Sequence, residues 1–304
     1  MTHPVLPALA IVIVSWNTRD LLYRCIASIK ASLRDSSAPY AIIVVDNDSH
    51  DGTTHMLRSE LPEIELIESA HNLGFAGGNN QALRRLAIRN WQLKANAPDS
   101  PQAEAVLLLN PDTEVVGDAI DTMRRYLAAH PDVAVIGPRL RYPDGSVQSS
   151  RRRLPTPGTF LFESTPLEQR VPRNRWVRRY HVADRSDDEE QDVDWLVGAA
   201  LMVRRDVIER AGLLDAGFHM YSEELEWQRR ISAGSRPNRI VYLPGAEITH
   251  YEGKSSEQAL AQRYLNFHTS RLRYAEMTHG ARLRRRVRTF LRLAYGAELL
   301  TEAA

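Results

Sequence analysis

The chain has 304 residues, of which 43% are hydrophobic and 25% charged, an ordinary composition for a globular enzyme. Its formal net charge of +1 creates no overall field that would attract nucleic acid, so we expect no nucleic-acid partner. The single cysteine, Cys25, excludes a disulfide within the chain and fits a reducing compartment. No apolar run approaches the roughly 18 residues of a membrane-spanning helix, and no secretion signal is recognisable, so we expect a cytoplasmic protein.

The first half of the chain alternates apolar runs with helical patterns. The runs predict buried strands at 10–14, 41–45, 64–68 and 105–109, and the spacing between them predicts helices at 21–29, from 53, at 81–91 and at 118–130. Unbroken β-branched runs such as Ala10–Val14 are typical of parallel strands that are buried on both faces. The alternation therefore indicates an α/β fold with a mostly parallel sheet and right-handed crossovers.

The second half of the chain is less regular. We predict strands at 133–137, 193–203 (interrupted by Gly198) and 240–243, helices at 206–211 and 223–232, and a basic helical region from 258 to 300. Residues 151–191, rich in arginine, proline and acids, show no clear period.

Polar clusters follow the predicted strands of the first half. They lie at 15–20, 46–49, 71–80 and 110–113. Ligands of open parallel sheets bind beyond the carboxyl ends of the strands, so four clusters at that edge predict an active site there.

Two acidic residues stand directly after predicted strands. Asp112 follows the run 105–109, and its hard oxygen ligands suit Mg²⁺ or Mn²⁺, which would neutralise a diphosphate leaving group. Taken alone, Asp112 also fits a turn. Asp46 ends the second strand, where a carboxylate can accept hydrogen bonds from a ribose hydroxyl or a base N–H. Capping of the next helix is the alternative for Asp46 and more so for Asp48.

Three carboxylates begin the predicted helix at 223. Glu223, Glu224 and Glu226 would raise one another's pKa if they lie close together, and one of them would then suit a general base. The alternative is an acidic first turn that the helix dipole favours. His250 follows a strand and fits either a metal or phosphate ligand or a structural histidine.

Several segments together resemble the inverting GT-A-fold glycosyltransferases of family 2, especially their rhamnosyltransferase-like branch. The matching segments lie, in the family's order, at 11–17, 44–53, 72–79, 107–112, 137–148, 193–199, 218–224 and 250–255. The resemblance implies a Rossmann-like, mostly parallel central sheet flanked by helices, with a C-terminal helical extension. It implies a glycosyltransferase domain at 8–256, with a nucleotide-sugar-binding half (8–130) and an acceptor and catalytic half (131–256). The basic helical extension would be 257–304.

The resemblance also implies roles for individual residues. Asp112 and His250 would hold a divalent cation, Mg²⁺ or Mn²⁺, and Glu224 would be the catalytic base, with Glu223 as the alternative. The residues implied to bind the donor are Ser15, Asn17, Asp46, Asp48, Asn72, Gly74, Asn79 and Asn110. The residues implied on the acceptor side are Trp195, Gly198 and Glu226.

Two positions depart from the family's pattern. Asn110 stands at the first position of the DxD metal motif, where an amide brings no charge, so we expect the metal to be held less tightly. Glu223-Glu224 replaces the usual Glu-Asp pair, which leaves open which of the two is the base.

The function that the resemblance implies is inverting transfer of a sugar from a nucleotide diphosphate sugar to a hydroxyl group. Rhamnose from dTDP-rhamnose is the first choice of donor, and a cell-envelope glycan or lipid-linked glycan is the expected acceptor. One alternative is a nucleotide-sugar-binding protein with impaired catalysis. Another is a sugar nucleotidyltransferase, which the absence of a glycine-rich phosphate loop at 15–19 disfavours.

Arginines alternate with apolar residues within 282–292. This pattern predicts either an amphipathic helix at the inner face of the plasma membrane or a helix that packs on the domain. The sequence gives no prediction of the oligomeric state.

Overall fold

The computed structural model describes residues 8–88, 104–171, 173–234, 238–253 and 260–302. The strands are β1 Leu9–Ser15, β2 Tyr40–Asp46, β3 Glu65–Glu68, β4 Ala105–Leu109, β5 Thr113–Val115, β6 Val133–Arg141, β7 Val147–Gln148, β8 Arg151–Arg152, β9 Gln191–Asp192, β10 Trp195–Leu196, β11 Ala200–Arg204 and β12 Arg239–His250. The helices are α1 Arg19–Ser32, α2 Thr53–Glu60, α3 Gly74–Ile88, α4 Ala119–Ala129, α5 Thr159–Phe162, α6 Pro166–Arg170, α7 Arg175–Tyr180, α8 Arg205–Ala211, α9 Glu223–Ser232 and α10 Leu260–Glu302.

The central sheet has the strand order β3-β2-β1-β4-β11-β6-β12-β5, with β7 beside β6 and β9 beside β12. Strands β3, β2, β1 and β4 are mutually parallel. Strand β11 runs antiparallel to both β4 and β6, and β12 runs parallel to β6. The carboxyl ends of β1, β2, β4 and β12 therefore lie at one edge of the sheet. The prediction of a mostly parallel sheet with flanking helices is confirmed.

The sheet is buried on both faces because its apolar strands alternate their side chains between two cores. Leu9, Ile11 and Ile13 of β1 pack with α1 and α4, whereas Ala10 and Val12 pack with α3, α8 and α9. This burial explains why the predicted strands read as unbroken apolar runs. A third cluster joins α5, α7, α9 and α10.

Three predicted elements differ from the structure. Helix α3 begins at Gly74 rather than at residue 81, so the Gly/Asn-rich segment forms its first turns; residues 89–91 of that prediction lie outside the described residues. The predicted strand 193–203 divides into β10, which pairs with β8 in a separate small sheet, and β11 in the central sheet. The predicted strand 240–243 belongs to the longer β12, which shifts register between Leu243 and Glu247.

Helix α10 is interrupted at Gly280, whose φ of 83° and ψ of 169° are not helical. Beyond that point Val287 and Leu291 are buried in the third cluster, with Leu283 and Phe290 packed against it. The apolar side of this segment therefore contacts the protein, as the alternative of a packing helix predicts. Among the described residues, no helix combines the length and apolar character that crossing a membrane requires.

Candidate active site

A cavity opens at the carboxyl edge of the sheet, between the ends of β1, β2, β4 and β12 and the start of α9. Its lining is Val14, Trp16, Asn47, Asn72, Gly74, Phe75, Asn110, Pro111, Asp112, Val197, Gly198, Ala199, Met220, Tyr221, Glu223, Glu224, His250, Glu252, Gly253 and Arg263. Eight of the residues that the sequence analysis names as candidates face this cavity: Asn72, Gly74, Asn110, Asp112, Gly198, Glu223, Glu224 and His250.

Asp112 and His250 form a buried pair at the inner end of the cavity. Oδ1 of Asp112 lies 3.3 Å from Nε2 of His250, and their side chains are 5% and 6% exposed. The pairing of β5 with β12 sets this proximity, because Thr113 lies opposite His250 and Tyr251 N donates to the carbonyl oxygen of Asp112 at 2.9 Å. Residues 138 positions apart in sequence are thereby held by backbone geometry.

Gln148 orients the imidazole of His250. Its Oε1 lies 2.8 Å from Nδ1 of His250, while its Nε2 donates to Oε2 of Glu252 at 2.7 Å. Because the amide oxygen faces Nδ1, that nitrogen carries the proton and Nε2 keeps its lone pair for the cavity. Nδ2 of Asn110 lies 3.4 Å from the same Nε2.

This pair fits one side of a divalent-cation site. Two ligands that are each about 2.1 Å from a cation and roughly at right angles lie about 3 Å apart, close to the observed 3.3 Å. A carboxylate oxygen suits Mn²⁺ or Mg²⁺, and an oriented imidazole nitrogen suits a transition-metal cation better than Mg²⁺. Within the described ranges, no group of three His, Cys, Asp or Glu side chains surrounds a common point. A cation bound by this pair would take its remaining ligands from the cavity.

The loop before α3 is held by two asparagine side chains. Nδ2 of Asn47 donates to Oδ1 of Asn72 at 3.0 Å and to the carbonyl of Gly74 at 3.2 Å. Oδ1 of Asn47 accepts from Leu73 N, and Oδ1 of Asn72 accepts from Gly74 N. These bonds replace a conventional cap and fix the start of α3 against the end of β2.

Gly74 permits a close approach of two backbones. Its φ is +70°, and a Cβ at this position would lie 1.8 Å from the carbonyl oxygen of His219. The same carbonyl accepts the N–H of Phe75 at 3.0 Å. Only glycine satisfies both the left-handed conformation and the contact, so Gly74 couples α3 to the segment that precedes Glu223.

The remaining donor candidates lie behind the lining rather than on it. Ser15 is fully buried, and its Oγ contacts Oγ1 of Thr18 at 2.9 Å. The left-handed Asn17 accepts from His50 N at 2.7 Å. Asn79 donates within α3 to the carbonyl of Phe75 at 2.9 Å. These contacts order the cavity wall.

Asp46 and Asp48 lie in the turn after β2. Oδ2 of Asp46 accepts from Ser49 N at 3.1 Å, whereas its buried Oδ1 has no hydrogen-bond partner among the described residues. Leaving such an acceptor unpaired typically costs about 1–3 kcal/mol. Asp48 is partly exposed and has a left-handed φ of 70°.

Glu223 and Glu224 form a carboxylate pair that lines the cavity from the first turn of α9. Two consecutive left-handed residues, Tyr221 (φ 70°) and Ser222 (φ 69°), turn the chain so that both side chains face inward. Burial and the neighbouring Glu224 raise the pKa of Glu223 well above its ordinary value. Burial also raises the pKa of Glu224, with the N–H of Gly198 among the opposing influences.

The two carboxylates differ in access. Glu223 is only 2% exposed, whereas Glu224 is partly exposed. A Cβ added at Gly198 would lie 3.4 Å from Cγ of Glu224 and 3.4 Å from Cζ of Phe75, so both side chains lie close to this glycine. One oxygen of each carboxylate, Oε2, has no hydrogen-bond partner in the described part of the chain.

Two of the acceptor-side candidates do not reach the cavity. Glu226 pairs with Arg230 at 2.7 Å, and Arg230 also donates to the carbonyls of Ala211 and Leu213, so this pair ties α9 to the end of α8. Trp195 is buried in the third cluster and donates to the carbonyl of Arg153 at 3.2 Å. The helical period explains Glu226, because positions 223 and 224 face the cavity and position 226 turns away.

Other lining residues were not singled out from the sequence. Trp16, Phe75 and Tyr221 give the cavity aromatic surface, and Arg263 brings a positive charge from α10. Trp16 and Phe75 lie within segments that carry the family resemblance, which was the available signal. Arg263 had no signal, since it lies in a basic helical region with many arginines. Lys254 and Ser255 of the last matching segment lie outside the described residues.

Comparison with known proteins agrees with this geometry. The sequence profile of Glycosyl transferase family 2 matches residues 10–210, more than half of the chain. A relative in Mycobacterium tuberculosis, N-acetylglucosaminyl-diphospho-decaprenol L-rhamnosyltransferase, is 27% identical over 300 residues, which cover 97% of this chain and 94% of the relative.

Solved structures show the same fold. Mannosyltransferase PcManGT from Pyrobaculum calidifontis, in complex with GDP-Man and Mn²⁺, matches with a TM-score of 0.57 and 17% identity, over 98% of this chain and 76% of that chain. GalNAc-T7 with UDP, GalNAc and Mn²⁺ matches with a TM-score of 0.54 and 14% identity, over 81% of this chain and 43% of that chain. The chain thus belongs to glycosyl transferase family 2 and is a glycosyltransferase with the GT-A fold.

Proposed function

We propose that this enzyme transfers a sugar with inversion from a nucleotide diphosphate sugar to a hydroxyl of a lipid-linked or cell-envelope glycan, with rhamnose from dTDP-rhamnose as the first choice. The observation that carries the proposal is one cavity lined by both the Asp112–His250 pair and the Glu223–Glu224 pair. The near full-length relative is named for transfer of L-rhamnose to N-acetylglucosaminyl-diphospho-decaprenol, which supports this choice of donor and acceptor.

The two pairs suit the two ends of a displacement reaction. Asp112 and His250 would hold Mn²⁺ or Mg²⁺, and such a cation stabilises the negative charge of a leaving diphosphate. Structures solved with Mn²⁺ share the fold, which supports a divalent cation here. The other pair, Glu223 and Glu224, would supply the carboxylate that takes the proton of the acceptor hydroxyl as the hydroxyl oxygen attacks the anomeric carbon. Attack from the side opposite the leaving group inverts the configuration.

Glu224 is the better candidate for the base. It is the more exposed of the pair, so an acceptor hydroxyl can reach it from the cavity. Its pKa is raised, but the N–H of Gly198 and the guanidinium of Arg152 favour its charged form. Glu223 is buried and its pKa is raised further by Glu224. A protonated Glu223 beside an ionised Glu224 avoids two like charges in one buried site.

The donor nucleotide is proposed to lie along the ends of β1 and β2. The unpaired Oδ1 of Asp46 is buried behind the lining, so a base N–H or ribose hydroxyl would reach it only after the neighbouring side chains shift. Trp16 and Asn47 line the same side of the cavity, and aromatic surface suits a nucleobase. Residues 8–130 would then form the nucleotide-sugar half and 131–256 the acceptor half, with 257–304 as the extension.

A donor screen tests the proposal. Thermal shift is measured with dTDP-rhamnose, UDP-sugars and GDP-sugars, each with and without Mn²⁺. We expect dTDP-rhamnose to stabilise the protein only when the metal is present. We also expect transfer of rhamnose to a synthetic prenyl-diphosphate-N-acetylglucosamine, and NMR of the product should show that the anomeric configuration is inverted relative to the donor. If only a different nucleotide sugar stabilises the protein, that sugar replaces dTDP-rhamnose as the proposed donor. Retention of configuration would overturn the single displacement.

The alternative of a binding protein with impaired catalysis rests on Asn110 and on Glu at position 224. Both carboxylates nevertheless line the same cavity as the Asp112–His250 pair, which favours an active enzyme. An assay of donor hydrolysis in the presence of Mn²⁺ distinguishes an active enzyme from a catalytically impaired protein, because an active enzyme should hydrolyse the donor slowly. Binding of the donor without transfer or hydrolysis would favour the impaired protein.

We also propose that α10 brings the enzyme to an anionic membrane surface through charge rather than through its apolar side. The part of α10 beyond Gly280 exposes six arginines: Arg282, Arg284, Arg285, Arg286, Arg288 and Arg292. Each basic residue near an anionic surface contributes about 1 kcal/mol. A lipid-linked acceptor would be presented at such a surface.

Vesicle sedimentation tests this association. We expect binding to phosphatidylglycerol-containing vesicles that weakens with salt, little binding to phosphatidylcholine alone, and loss of binding in an Arg285→Glu/Arg288→Glu variant. Substitution is preferable to truncation because Val287 and Leu291 belong to the third cluster. Equal sedimentation with both vesicle types would contradict the proposal.

A further inference from the structure

Helix α10 contributes one guanidinium to the active-site cavity. Arg263 lies in the first turns of α10 and lines the cavity together with Asp112, His250, Glu252 and Gly253. Its Nη1 would be 2.7 Å from a Cβ added at Gly253, whose φ is +79°. The guanidinium therefore rests directly over the backbone of Gly253, at a position where a side chain would displace it.

Two other arginines of this part of α10 form ion pairs with the rest of the domain. Arg271 pairs with Glu163 at 3.2 Å, and Arg273 pairs with Asp215 at 2.8 Å. Among the described residues, no carboxylate lies within ion-pair distance of Arg263. A guanidinium that is half-buried at a cavity and pairs with no carboxylate of the described residues is suited to an anionic ligand.

The helix that carries Arg263 is fixed to the catalytic segment. Oγ of Ser270 donates to the carbonyl of Met220 at 2.8 Å, and the ring of Phe267 contacts that of Tyr221 with centroids 5.7 Å apart. Met220 and Tyr221 immediately precede the carboxylate pair. The position of Arg263 relative to the cavity is thus set by packing, which lowers the entropy lost when it binds a ligand.

We propose that Arg263 binds the diphosphate of the donor and of the departing nucleoside diphosphate; this inference rests on the proposed function. The diphosphate would lie by Asp112 and His250, at the same part of the cavity. Because Asn110 leaves one carboxylate in the metal motif, the cation is held by few protein charges. Arg263 supplies a fixed positive charge that is independent of the metal, and its planar fork matches two phosphate oxygens.

Binding of dTDP tests the proposal with the full chain, by calorimetry at fixed Mg²⁺. Arg263→Gln should weaken binding of dTDP roughly 10- to 100-fold, since a hydrogen bond between charged groups is lost. Arg263→Lys should lose less affinity for dTDP than Arg263→Gln does, because lysine keeps the positive charge. Binding of thymidine, followed by ligand-observed NMR, should be unchanged because it has no phosphate. Arg282→Gln, exposed on the same helix beyond Gly280, is the matched control and should bind dTDP as the wild type does.

The outcomes separate this inference from the proposed function. If the wild type binds dTDP and Arg263→Gln binds it equally well at an unchanged melting temperature, the role of Arg263 is refuted while the proposed donor class stands. If Arg263→Gln weakens thymidine as much as dTDP, the residue acts on the shape of the cavity and not on the diphosphate. If the wild type binds neither dTDP nor UDP, the proposed function fails and this inference fails with it.

Discussion

The close approach at Gly74 allows a quantitative test of how α3 and the catalytic segment are coupled. In Gly74→Ala the new Cβ would lie 1.8 Å from the carbonyl oxygen of His219, where ordinary contact begins at 3.4 Å. One of the two backbones must therefore shift. The left-handed conformation costs alanine about 1–2 kcal/mol. Loss of the bond from Phe75 N to His219 adds about 1 kcal/mol.

These contributions predict that Gly74→Ala loses at least about 2–3 kcal/mol of unfolding free energy, or roughly 3–5 °C in melting temperature for a chain of 304 residues. Gly117→Ala is the matched control, because Gly117 also has a positive φ (+55°) but nothing within 4 Å of an added Cβ. It should show only the conformational cost. Urea unfolding of both variants gives the two free energies of unfolding. Equal losses in the two variants would refute the close approach. The rate of sugar transfer is then compared at a temperature where both variants remain folded. A greater loss of transfer in Gly74→Ala than in Gly117→Ala would support coupling between the start of α3 and Glu224.

Three further predictions concern the two buried pairs. Glu223→Gln should gain stability relative to the wild type as pH rises above the ordinary carboxyl pKa of 4.5, by at most about 1.4 kcal/mol per pH unit. The sign follows because the folded state keeps a proton at Glu223 that the unfolded chain releases, so the stability of the wild type falls as pH rises above 4.5. Melting curves measured across pH test this prediction. Glu60→Gln is the control, because Glu60 is exposed and its replacement should show no such trend. Asn110→Asp adds a carboxylate beside Asp112 and His250 and should tighten Mn²⁺ binding without nucleotide in isothermal titration, and unchanged affinity would contradict the assigned metal side. Gln148→Leu removes the acceptor at Nδ1 of His250 and should raise the Mn²⁺ concentration needed for half-maximal transfer about 10- to 100-fold, whereas an unchanged requirement would remove His250 from the metal site.

Local patterns predicted the part of the fold in which sequence neighbours are also structural neighbours. The run Ala10–Val14 and its counterparts form parallel strands as predicted, because burial on both faces requires unbroken apolar sequence. The start of α3 was missed because Gly74, Gly77 and Gly78 are typical of a loop. In the structure Asn47 and the distant His219 hold this segment helical, and neither contact is visible in a local window.

Long strands with irregularities were also divided incorrectly. The predicted strand ends at Leu243, whereas β12 continues through a register shift to His250. For the site, strand ends indicated where the cavity lies, and eight candidates line it. The sequence could not indicate that Arg263 returns to the cavity from the C-terminal helix.

Transfer by Glu224→Gln is the most direct test of the proposed reaction. Glutamine keeps nearly the same shape but cannot accept the proton of the acceptor hydroxyl. We expect kcat to fall by about 10²- to 10⁴-fold while affinity for the donor stays within a few-fold of the wild type, and Glu223→Gln to retain more activity. Transfer by Glu224→Gln at the wild-type rate, with the donor bound normally, would contradict the assignment of Glu224 as the base.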